Sequence, residues 1–234
     1  MLKILAIETS TDACSAALML GDTVSSSFAL APKEHSKLIL PMINSLLLAA
    51  NLQLKDMDAI AFGFGPGSFT GVRLAASLVQ GLAYGANLPV IKVSSLQALA
   101  QGAWEKHAVN KVFVVQDARV NEVYTAQYAL DADGLMQAVA LDSLQNPAEL
   151  VLPEQLETWY KIGNGWEVYY NILQRRCTLE KIISYNHPEA QFIAKLAAKD
   201  YRAGKLIKPE QALPCYLRDA VQWKKHNSKG SDQK

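Results

Sequence analysis

Cysteine is scarce in this sequence of 234 residues, and the few cysteines lie far apart. Cys14, Cys177 and Cys215 are odd in number and form none of the close pairs that a disulfide framework or a cysteine zinc site needs. A dominant charge of one sign is also missing, because 23 lysines and arginines balance 22 aspartates and glutamates. The sequence therefore predicts reduced thiols and no global field that would draw the protein onto nucleic acid or an anionic membrane.

Long apolar runs are absent as well. Residues 1–7 are too short an apolar segment for a signal peptide, and no run of about 18 apolar residues is available to cross a bilayer. Hydrophobic residues nevertheless make up 50% of the chain, which is enough to bury a core. We expect a soluble, cytoplasmic protein without membrane contact.

The motifs that hold metal ions or phosphates in many proteins are incomplete here. The histidines His35, His107, His187 and His226 include no pair three or four residues apart, so no metal site is predicted. We expect His35 to lie near a helix start, as a cap or a surface donor. A P-loop lysine is missing, and the glycine-rich stretch that begins at Gly63 lacks the third glycine of the dinucleotide fingerprint.

What the sequence does contain is a glycine-rich turn, GFGPGSFTGVR, at residues 63–73. The apolar run at 59–62 predicts a strand before it, and residues from about 71 to 84 predict a helix after it. Glycine tolerates crowded backbone, and the Ser68 hydroxyl can satisfy the first amides of the helix. Two interpretations stay open: a structural elbow, or an anion-binding loop at the positive end of the helix.

A hairpin pattern occurs twice along the chain. Residues 3–7 and 15–20 form two apolar runs around a turn that follows Glu8, and residues 111–119 and 123–128 repeat this arrangement. Helix and strand patterns alternate between the two hairpins. Together these features predict an α/β protein of two related lobes.

The pattern also divides the chain. A first lobe is predicted over 1–106, a smaller second lobe over 107–223, and a flexible tail over 224–234. Within the second lobe we expect a short helix at 146–157 and an amphipathic helix at 187–203. A C-terminal helix is expected to pack back on the first lobe.

The predicted helix at 36–51 is apolar on two sides. Its core-facing stripe is expected to consist of Ile39, Met42, Ile43, Leu46, Ala49 and Ala50. Leu40, Leu47 and Leu48 point elsewhere on the helix and predict a partner surface. The next helix carries small residues that permit close approach of a neighbour, namely Ala75, Ala76, Ser77, Gly81 and Ala83. The alternative is that both helix faces are covered within the monomer, by the sheet and a C-terminal helix.

Three charged residues lie beside the glycine-rich turn and the turn of the second hairpin. Arg73 lies in the first turn of its helix, where a cation opposes the dipole, so we expect an acidic partner nearby or across an interface. Arg119 and Glu122 flank the turn of the second hairpin. They form either a solvated charge pair or a site where Arg119 meets a carboxylate or phosphate at the cleft.

Several segments resemble a known family. The two-lobed pattern is similar to the actin, Hsp70 and sugar-kinase superfold. Within that superfold the sequence resembles the TsaB (YeaZ) family, a bacterial partner in making threonylcarbamoyladenosine (t6A) on tRNA. The segments that carry this resemblance are ILAIETST, HSKLILPMI, GPGSFTGVRLAASLVQGLA, DARVNEVYTAQY and PCYLR. The resemblance is strong over residues 2–128 and scattered from 129 to 210.

The resemblance implies a protein without its own catalytic site. In the catalytic paralogue, TsaD, two histidines four residues apart bind a metal ion after the elbow, and Ser95 and Leu99 stand at those positions here. The superfold's ATPases use an acidic residue after the first strand, where this chain has Glu8 instead of the aspartate usual among TsaB relatives. With Gln116 at the related turn, this weakens the case for ATP hydrolysis. Glu8 and Asp117 are expected instead to accept hydrogen bonds from turn amides.

The function implied is that of a non-catalytic scaffold required for threonylcarbamoyl transfer to adenosine 37 of tRNAs. The implied partners are a TsaD-like paralogue in a heterodimer, a TsaE-like ATPase subunit in a larger complex, and a second copy when the chain is alone; tRNA contact is expected to be indirect. Metals and cofactors are not expected. The alternatives are a metallopeptidase-like enzyme, a small-molecule kinase, or a nucleotide-binding regulatory module.

Two sets of site residues follow. The predicted partner interface comprises Leu40, Leu47, Leu48, Arg73, Ala76 and Gln80. The predicted nucleotide or anion site comprises Glu8, Thr9, Ser10, Gly65, Gly67 and Ser68.

Overall fold

The computed structural model describes residues 1–218, which form two β-sheets with helices between and around them. The first sheet has five strands in the order β3-β2-β1-β4-β5. Its strands are β1 (Lys3–Glu8), β2 (Ala13–Leu20), β3 (Thr23–Leu30), β4 (Ala59–Gly63) and β5 (Val90–Val93). β1, β2 and β3 are antiparallel neighbours, whereas β4 is parallel to β1 and β5 is parallel to β4. The first predicted hairpin is confirmed.

The second sheet has four strands in the order β8-β7-β6-β9. Its strands are β6 (Lys111–Arg119), β7 (Glu122–Leu130), β8 (Met136–Gln145) and β9 (Tyr160–Ile162). The second predicted hairpin, β6 and β7, is confirmed. β8 was not predicted, because it is an edge strand whose middle is exposed and which therefore lacks a strong apolar alternation.

The helices lie in three layers around the two sheets. They are α1 (His35–Ala49), α2 (Phe69–Ala86), α3 (Ser95–His107), α4 (Gly165–Val168), α5 (Tyr170–Leu173) and α6 (Ala190–Arg202). α1 and α2 cover one face of the first sheet. α3 and α6 lie between the sheets, where they share one hydrophobic core with residues of both, and α4 and α5 pack on the outer face of the second sheet.

This arrangement is the expected two-lobed α/β fold with a reduced second lobe. α6 packs against strands β1 and β2 of the first sheet, although it follows the second sheet in the chain. The lobe boundary after residue 106 stays a prediction, and the expected tail at 224–234 lies outside the described residues. Within residues 1–218, no helix combines the length and the apolar character needed to span a bilayer.

The helix expected at 146–157 is wrong. Residues there form only two single 3₁₀ turns, Pro147–Glu149 and Leu156–Thr158. Pro153 lies between these turns, and a proline removes one helical hydrogen bond and clashes with the preceding turn. A continuous helix across Pro153 is therefore disfavoured.

The orientation of α1 corrects part of the predicted partner surface. Its buried residues are Ile39, Ile43 and Leu47, spaced four apart, so they form one ridge against the sheet. Leu47 is 8% exposed and belongs to the core, so it offers little surface to a partner. Leu40 and Leu48 do face solvent, with exposures of 49% and 73%.

α2 corrects the other half of that surface. Ala76 is 3% exposed and, with Ala75, packs into the core of the first lobe. The small side chains therefore let α2 approach its own sheet, so Ala76 is not free to receive a partner helix. Gly81, on the opposite side of α2, is exposed and has open space around it.

Candidate functional site

The glycine elbow packs directly onto the turn between β1 and β2. The Thr9 hydroxyl donates to the Gly71 carbonyl at 2.8 Å, and the Ser68 N–H donates to the Ser10 carbonyl at 2.7 Å. A Cβ at position 71 would lie 1.9 Å from the Thr9 carbonyl oxygen, so only glycine permits this approach. The elbow thus has the structural role that one interpretation of the sequence predicted.

The structure brings the six predicted nucleotide or anion residues into one cluster, yet few of them face solvent. Glu8, Thr9 and Ser10 are buried, and Gly65 is buried too. Ser68 is exposed and caps α2, because its hydroxyl accepts a hydrogen bond from the Gly71 N–H. The amides of Ser68 and Gly71 are thus already paired within the chain. The binding of a nucleotide or anion by this cluster stays a prediction.

Glu8 ends β1 with a carboxylate that is fully buried. Its Oε1 accepts from the Ser10 N–H at 2.5 Å, and its Oε2 accepts from the Ser95 hydroxyl at 2.8 Å. Burial raises the pKa of Glu8, although these hydrogen bonds act in the opposite direction. A Cβ at Gly63 would lie 1.8 Å from Oε2, so the side chain fills the space beside that glycine. The expected bond to a turn amide is confirmed.

The two positions that hold metal ligands in the resembled paralogue are closed. Ser95 and Leu99 lie on α3 with exposures of 1%. The Ser95 hydroxyl is bonded to Glu8, and Leu99 packs in the core between the sheets. Residues 1–218 contain no cluster of three histidine, cysteine or acidic side chains arranged to hold a metal ion.

Two histidines meet on Thr11 in the same turn. His35, the first residue of α1, donates from Nε2 to the Thr11 carbonyl at 2.8 Å in the tautomer that this acceptor requires. His187 Nδ1 lies 3.2 Å from the Thr11 hydroxyl, and burial lowers the pKa of His187. His35 therefore acts near a helix start as a hydrogen-bond donor, as expected, and fixes the turn.

The corresponding turn of the second lobe is also held by its own side chains. Asp117 Oδ1 accepts from the Arg119 N–H at 2.9 Å, which confirms the expected turn bond. The same oxygen accepts from the Tyr169 hydroxyl at 3.0 Å; burial, together with this bond, raises the pKa of Tyr169 to about 12. Gln116 donates from Nε2 to the Asn186 carbonyl, while its buried Oε1 has no hydrogen-bond partner within residues 1–218.

Arg119 and Glu122 do not pair with each other. The Arg119 side chain meets Asp117 at 3.2 Å, and Glu122 pairs with Arg218. Arg119, Val120 and Asn121 all have positive φ, at 65°, 55° and 57°. Left-handed backbone is unusual for valine, because its branched Cβ crowds the chain. The Arg218 guanidinium donates to the carbonyls of residues 118 and 119 and so supports this turn.

Arg218 belongs to a segment, residues 212–218, that links the lobes; we call it the C-terminal strap. Gln80 on α2 donates to the Ala212 carbonyl at 3.2 Å, and the Cys215 N–H donates to the Phe64 carbonyl at 2.7 Å. Tyr216 accepts from Arg73 Nε at 2.6 Å. The strap thus joins α2 and the elbow to the β6–β7 turn. PCYLR was the only signal for it in the sequence, since the segment forms no helix or strand.

Arg73 has a different partner from the one expected. Its guanidinium lies 3.5 Å from the ring centre of Phe69 and is hydrogen bonded to Tyr216. Within residues 1–218, no carboxylate lies within ion-pair distance of Arg73. The cation is therefore held by aromatic rings, and the expectation of a nearby acidic partner fails within residues 1–218. An acidic partner across an interface stays a prediction.

An apolar groove runs along the outer side of α1 and α2, with a volume of about 630 Å³. Leu40 and Leu48 of α1 line it together with Leu54 and Leu82. Of the predicted interface residues, Leu40, Leu47 and Leu48 line this groove, although Leu47 is only 8% exposed. Arg73 and Gln80 lie under the C-terminal strap, and Leu47 and Ala76 are in the core.

The comparisons with known proteins cover almost the whole chain. A family model described as "TsaD: tRNA N6-adenosine threonylcarbamoyltransferase" matches residues 28–226. A "tRNA threonylcarbamoyladenosine biosynthesis protein TsaB" from Escherichia coli (strain K12) is 38% identical over 228 residues, which cover 96% of this chain and 98% of that protein. The protein of the same name from Haemophilus influenzae is 38% identical over 231 residues, covering 96% and 97%.

Solved structures agree with these sequence matches. The structure of "YeaZ from Pseudomonas aeruginosa" is 36% identical with a TM-score of 0.86, and the match covers 93% of this chain and 100% of that one. A second Pseudomonas aeruginosa structure, of a protein described as similar to peptidase YEAZ, is 37% identical with a TM-score of 0.88 over the same shares. The similarity thus extends well beyond residues 2–128.

Proposed function

The chain belongs to the TsaB (YeaZ) family of tRNA threonylcarbamoyladenosine biosynthesis proteins, and from that membership we propose that it is a non-catalytic scaffold in this tRNA modification. In this role it heterodimerises with a catalytic TsaD-like paralogue. The pair transfers the threonylcarbamoyl group to adenosine 37 of tRNAs. The chain contributes a binding surface to this reaction, and the paralogue contributes the reacting groups.

The observation that carries the proposal is the groove along α1 and α2. Leu48 is 73% exposed and Leu40 is 49% exposed, and both line this apolar depression. Exposed apolar patches of this kind mark contacts with other proteins, because covering them removes apolar surface from water. The chain also matches a TsaD family model, which supports a similar fold for the paralogue, and in this proposal a helical face of the paralogue fills the groove.

The state of the buried acid supports a non-catalytic role. Both oxygens of Glu8 accept hydrogen bonds from within the protein, and the side chain is fully buried. A kinase would need an acidic group at this place that reaches a metal-bound water. A metallopeptidase would need imidazoles in place of Ser95 and Leu99. Both enzyme alternatives are therefore less well supported than the scaffold.

Co-purification with the TsaD-like paralogue tests the proposal. Leu48→Asp should weaken the heterodimer at least about ten-fold, because it places a charge in the groove, and Leu40→Asp should do the same. Leu141→Asp is the matched control, since Leu141 is 87% exposed on β8, in the other lobe. Circular dichroism checks that each variant folds. Wild-type binding by both groove variants would show that this surface is not the interface.

The same groove accounts for the proposed homodimer. When the paralogue is absent, two copies of the chain cover each other's grooves, so light scattering should report a dimer that Leu48→Asp converts to a monomer. A TsaE-like ATPase subunit then joins the heterodimer in the cytoplasm. A titration with ATP tests the remaining alternative, a nucleotide-binding regulatory module, because stoichiometric binding by the isolated chain would favour it.

A further inference from the structure

Phe69 and Arg73 at the start of α2 form an exposed cluster with Tyr216 of the C-terminal strap, which we call the Arg73 stack. Arg73 Cζ lies 3.5 Å from the Phe69 ring centre and 5.4 Å from that of Tyr216. Its Nε donates to the Tyr216 hydroxyl at 2.6 Å. Phe69 is nevertheless 57% exposed and Tyr216 is 50% exposed. The three side chains therefore contact one another, yet much of their aromatic surface is exposed to water.

Holding these side chains in place costs conformational entropy in the free protein. Long side chains lose rotamer freedom when they are fixed, and exposed rings bury little apolar area to offset that loss. A surface that is ordered in advance binds more tightly, because its partner does not have to order it. The guanidinium also keeps its Nη1 and Nη2 hydrogens unpaired within residues 1–218, so they remain available as donors.

A second cation, Lys92, lies near the strap that carries Tyr216. Lys92 lies beside the strap, its Nζ 5.6 Å from the ring of Phe64, whose carbonyl accepts from the Cys215 N–H. Within the described residues, neither Arg73 nor Lys92 has an acidic partner.

The carboxylates near the strap are already engaged. Glu122 pairs with Arg218, and Asp142 accepts from the hydroxyls of Ser94 and Tyr128, each at 2.5 Å. Neither carboxylate forms an ion pair with Arg73 or Lys92, so within residues 1–218 both cations stay available as donors.

We propose that the Arg73 stack, with Lys92, contacts an unpaired loop of the tRNA directly. Arg73 and Lys92 bind backbone phosphates, and the rings of Phe69 and Tyr216 stack on bases that the loop leaves unpaired. An acidic protein surface would satisfy the two cations but would leave the two rings without a matching group. This inference rests on the proposed function, and it replaces the expectation that tRNA contact is indirect.

Photo-crosslinking tests the contact in a protein that keeps both Arg73 and Lys92. Benzoylphenylalanine is placed at position 69, and the heterodimer with the paralogue is irradiated with an unmodified tRNA transcript. We expect a crosslink to tRNA from position 69 and none from position 170, where Tyr170 is 51% exposed on α5. A crosslink from position 69 to the paralogue in place of tRNA would identify a protein partner and overturn the proposal. If no heterodimer forms, the proposed function fails. The tRNA contact is then tested separately, by the same crosslinking experiment on the isolated chain.

Binding measurements then separate charge from stacking. In the heterodimer, Arg73→Ala should raise the Kd for the transcript about ten-fold and reduce the slope of log Kd against log salt by about 1. Phe69→Ala should raise the Kd with little change in slope, because it removes stacking and no charge. Arg202→Ala is the control, since Arg202 is exposed at the end of α6. Unchanged Kd and slope in Arg73→Ala, with the heterodimer intact, would refute the contact.

Discussion

The Ser95 hydroxyl donates to Glu8 Oε2 across 2.8 Å, although 87 residues separate them in the chain. This bond ties the first turn of α3 to the end of β1, and both side chains are buried. In this chain the two side chains hold each other inside the core, so neither is free to act at a surface site.

Removing the hydroxyl should therefore cost stability. Ser95→Ala leaves Glu8 Oε2 buried without its donor, and such a change costs about 1–3 kcal/mol. For a protein of this size we expect the midpoint of thermal unfolding to fall by several degrees. Ser94→Ala is a poor control because Ser94 caps α3, so exposed Ser77→Ala serves instead. Equal midpoints for wild type and Ser95→Ala would show that the bond contributes nothing.

The raised pKa of Glu8 predicts a pH dependence. Because the folded value lies above the ordinary value of 4.5, its contribution to the free energy of unfolding is complete below about pH 4.5 and is lost as pH rises through the raised pKa. Glu8→Gln cannot ionise, so its stability relative to wild type should increase from pH 4 towards pH 8. Urea unfolding at several pH values measures the difference, and Asp22→Asn, at an exposed acid, is the control. A difference that shrinks as pH rises would contradict the buried, protonation-prone acid.

Much of the fold could be read from the sequence, and the errors have clear physical causes. Hairpins and buried strands were predictable, because runs such as Ile4 to Ile7 are buried on both faces. β8 was missed because edge strands need less apolar surface. The buried face of α1 was assigned incorrectly, because a helix with apolar residues on all sides does not show in its sequence which side faces the core. Packing against β2 selects the ridge that contains Leu47.

The candidate site was predictable to a lesser degree. The elbow followed from the glycine spacing at residues 63–71, whereas its packing against Thr9 and Ser10 was not predicted. The C-terminal strap did not, because its contacts with Gln80, Arg73 and Phe64 join residues far apart in sequence through irregular backbone. Such a segment has no local hydrophobic periodicity from which it could be predicted.

Two truncations at adjacent positions test which face of α1 packs against the sheet. Leu47→Ala removes a side chain that is 8% exposed and should cost about 2–5 kcal/mol. Leu48→Ala removes one that is 73% exposed and should change the free energy of unfolding by less than about 0.5 kcal/mol in the monomer. Denaturant titration at low protein concentration measures both. Equal losses would place both leucines in the same environment.

Arg218 should hold the strained β6–β7 turn. Arg218→Ala removes the bonds to the carbonyls of residues 118 and 119 and the pair with Glu122. We expect amide hydrogen exchange in residues 119–122 to accelerate about ten-fold or more, which corresponds to at least about 1.4 kcal/mol of local stability. Arg175→Ala, at an exposed arginine, should leave that exchange unchanged. Protection that survives in Arg218→Ala would show that the turn is stable without the strap.

Two glycines of the same helix should respond in opposite directions to alanine. At Gly71, in the first turn of α2, a Cβ would meet the Thr9 carbonyl oxygen at 1.9 Å. The obstacle is backbone, so it cannot rotate away. Gly71→Ala must push the elbow off the β1–β2 turn, and such overpacking costs about 1–3 kcal/mol or more.

Gly81 lies on the exposed side of α2, where an added Cβ meets nothing within 4 Å. Gly81→Ala should therefore raise the free energy of unfolding by about 0.5–1 kcal/mol, because alanine loses less conformational entropy than glycine in a helix. Thermal and urea unfolding of the two single variants supply the comparison. If Gly71→Ala were as stable as wild type, the close contact between elbow and turn would not exist in solution. Destabilisation by Gly81→Ala would mean that this side of α2 is covered, not open.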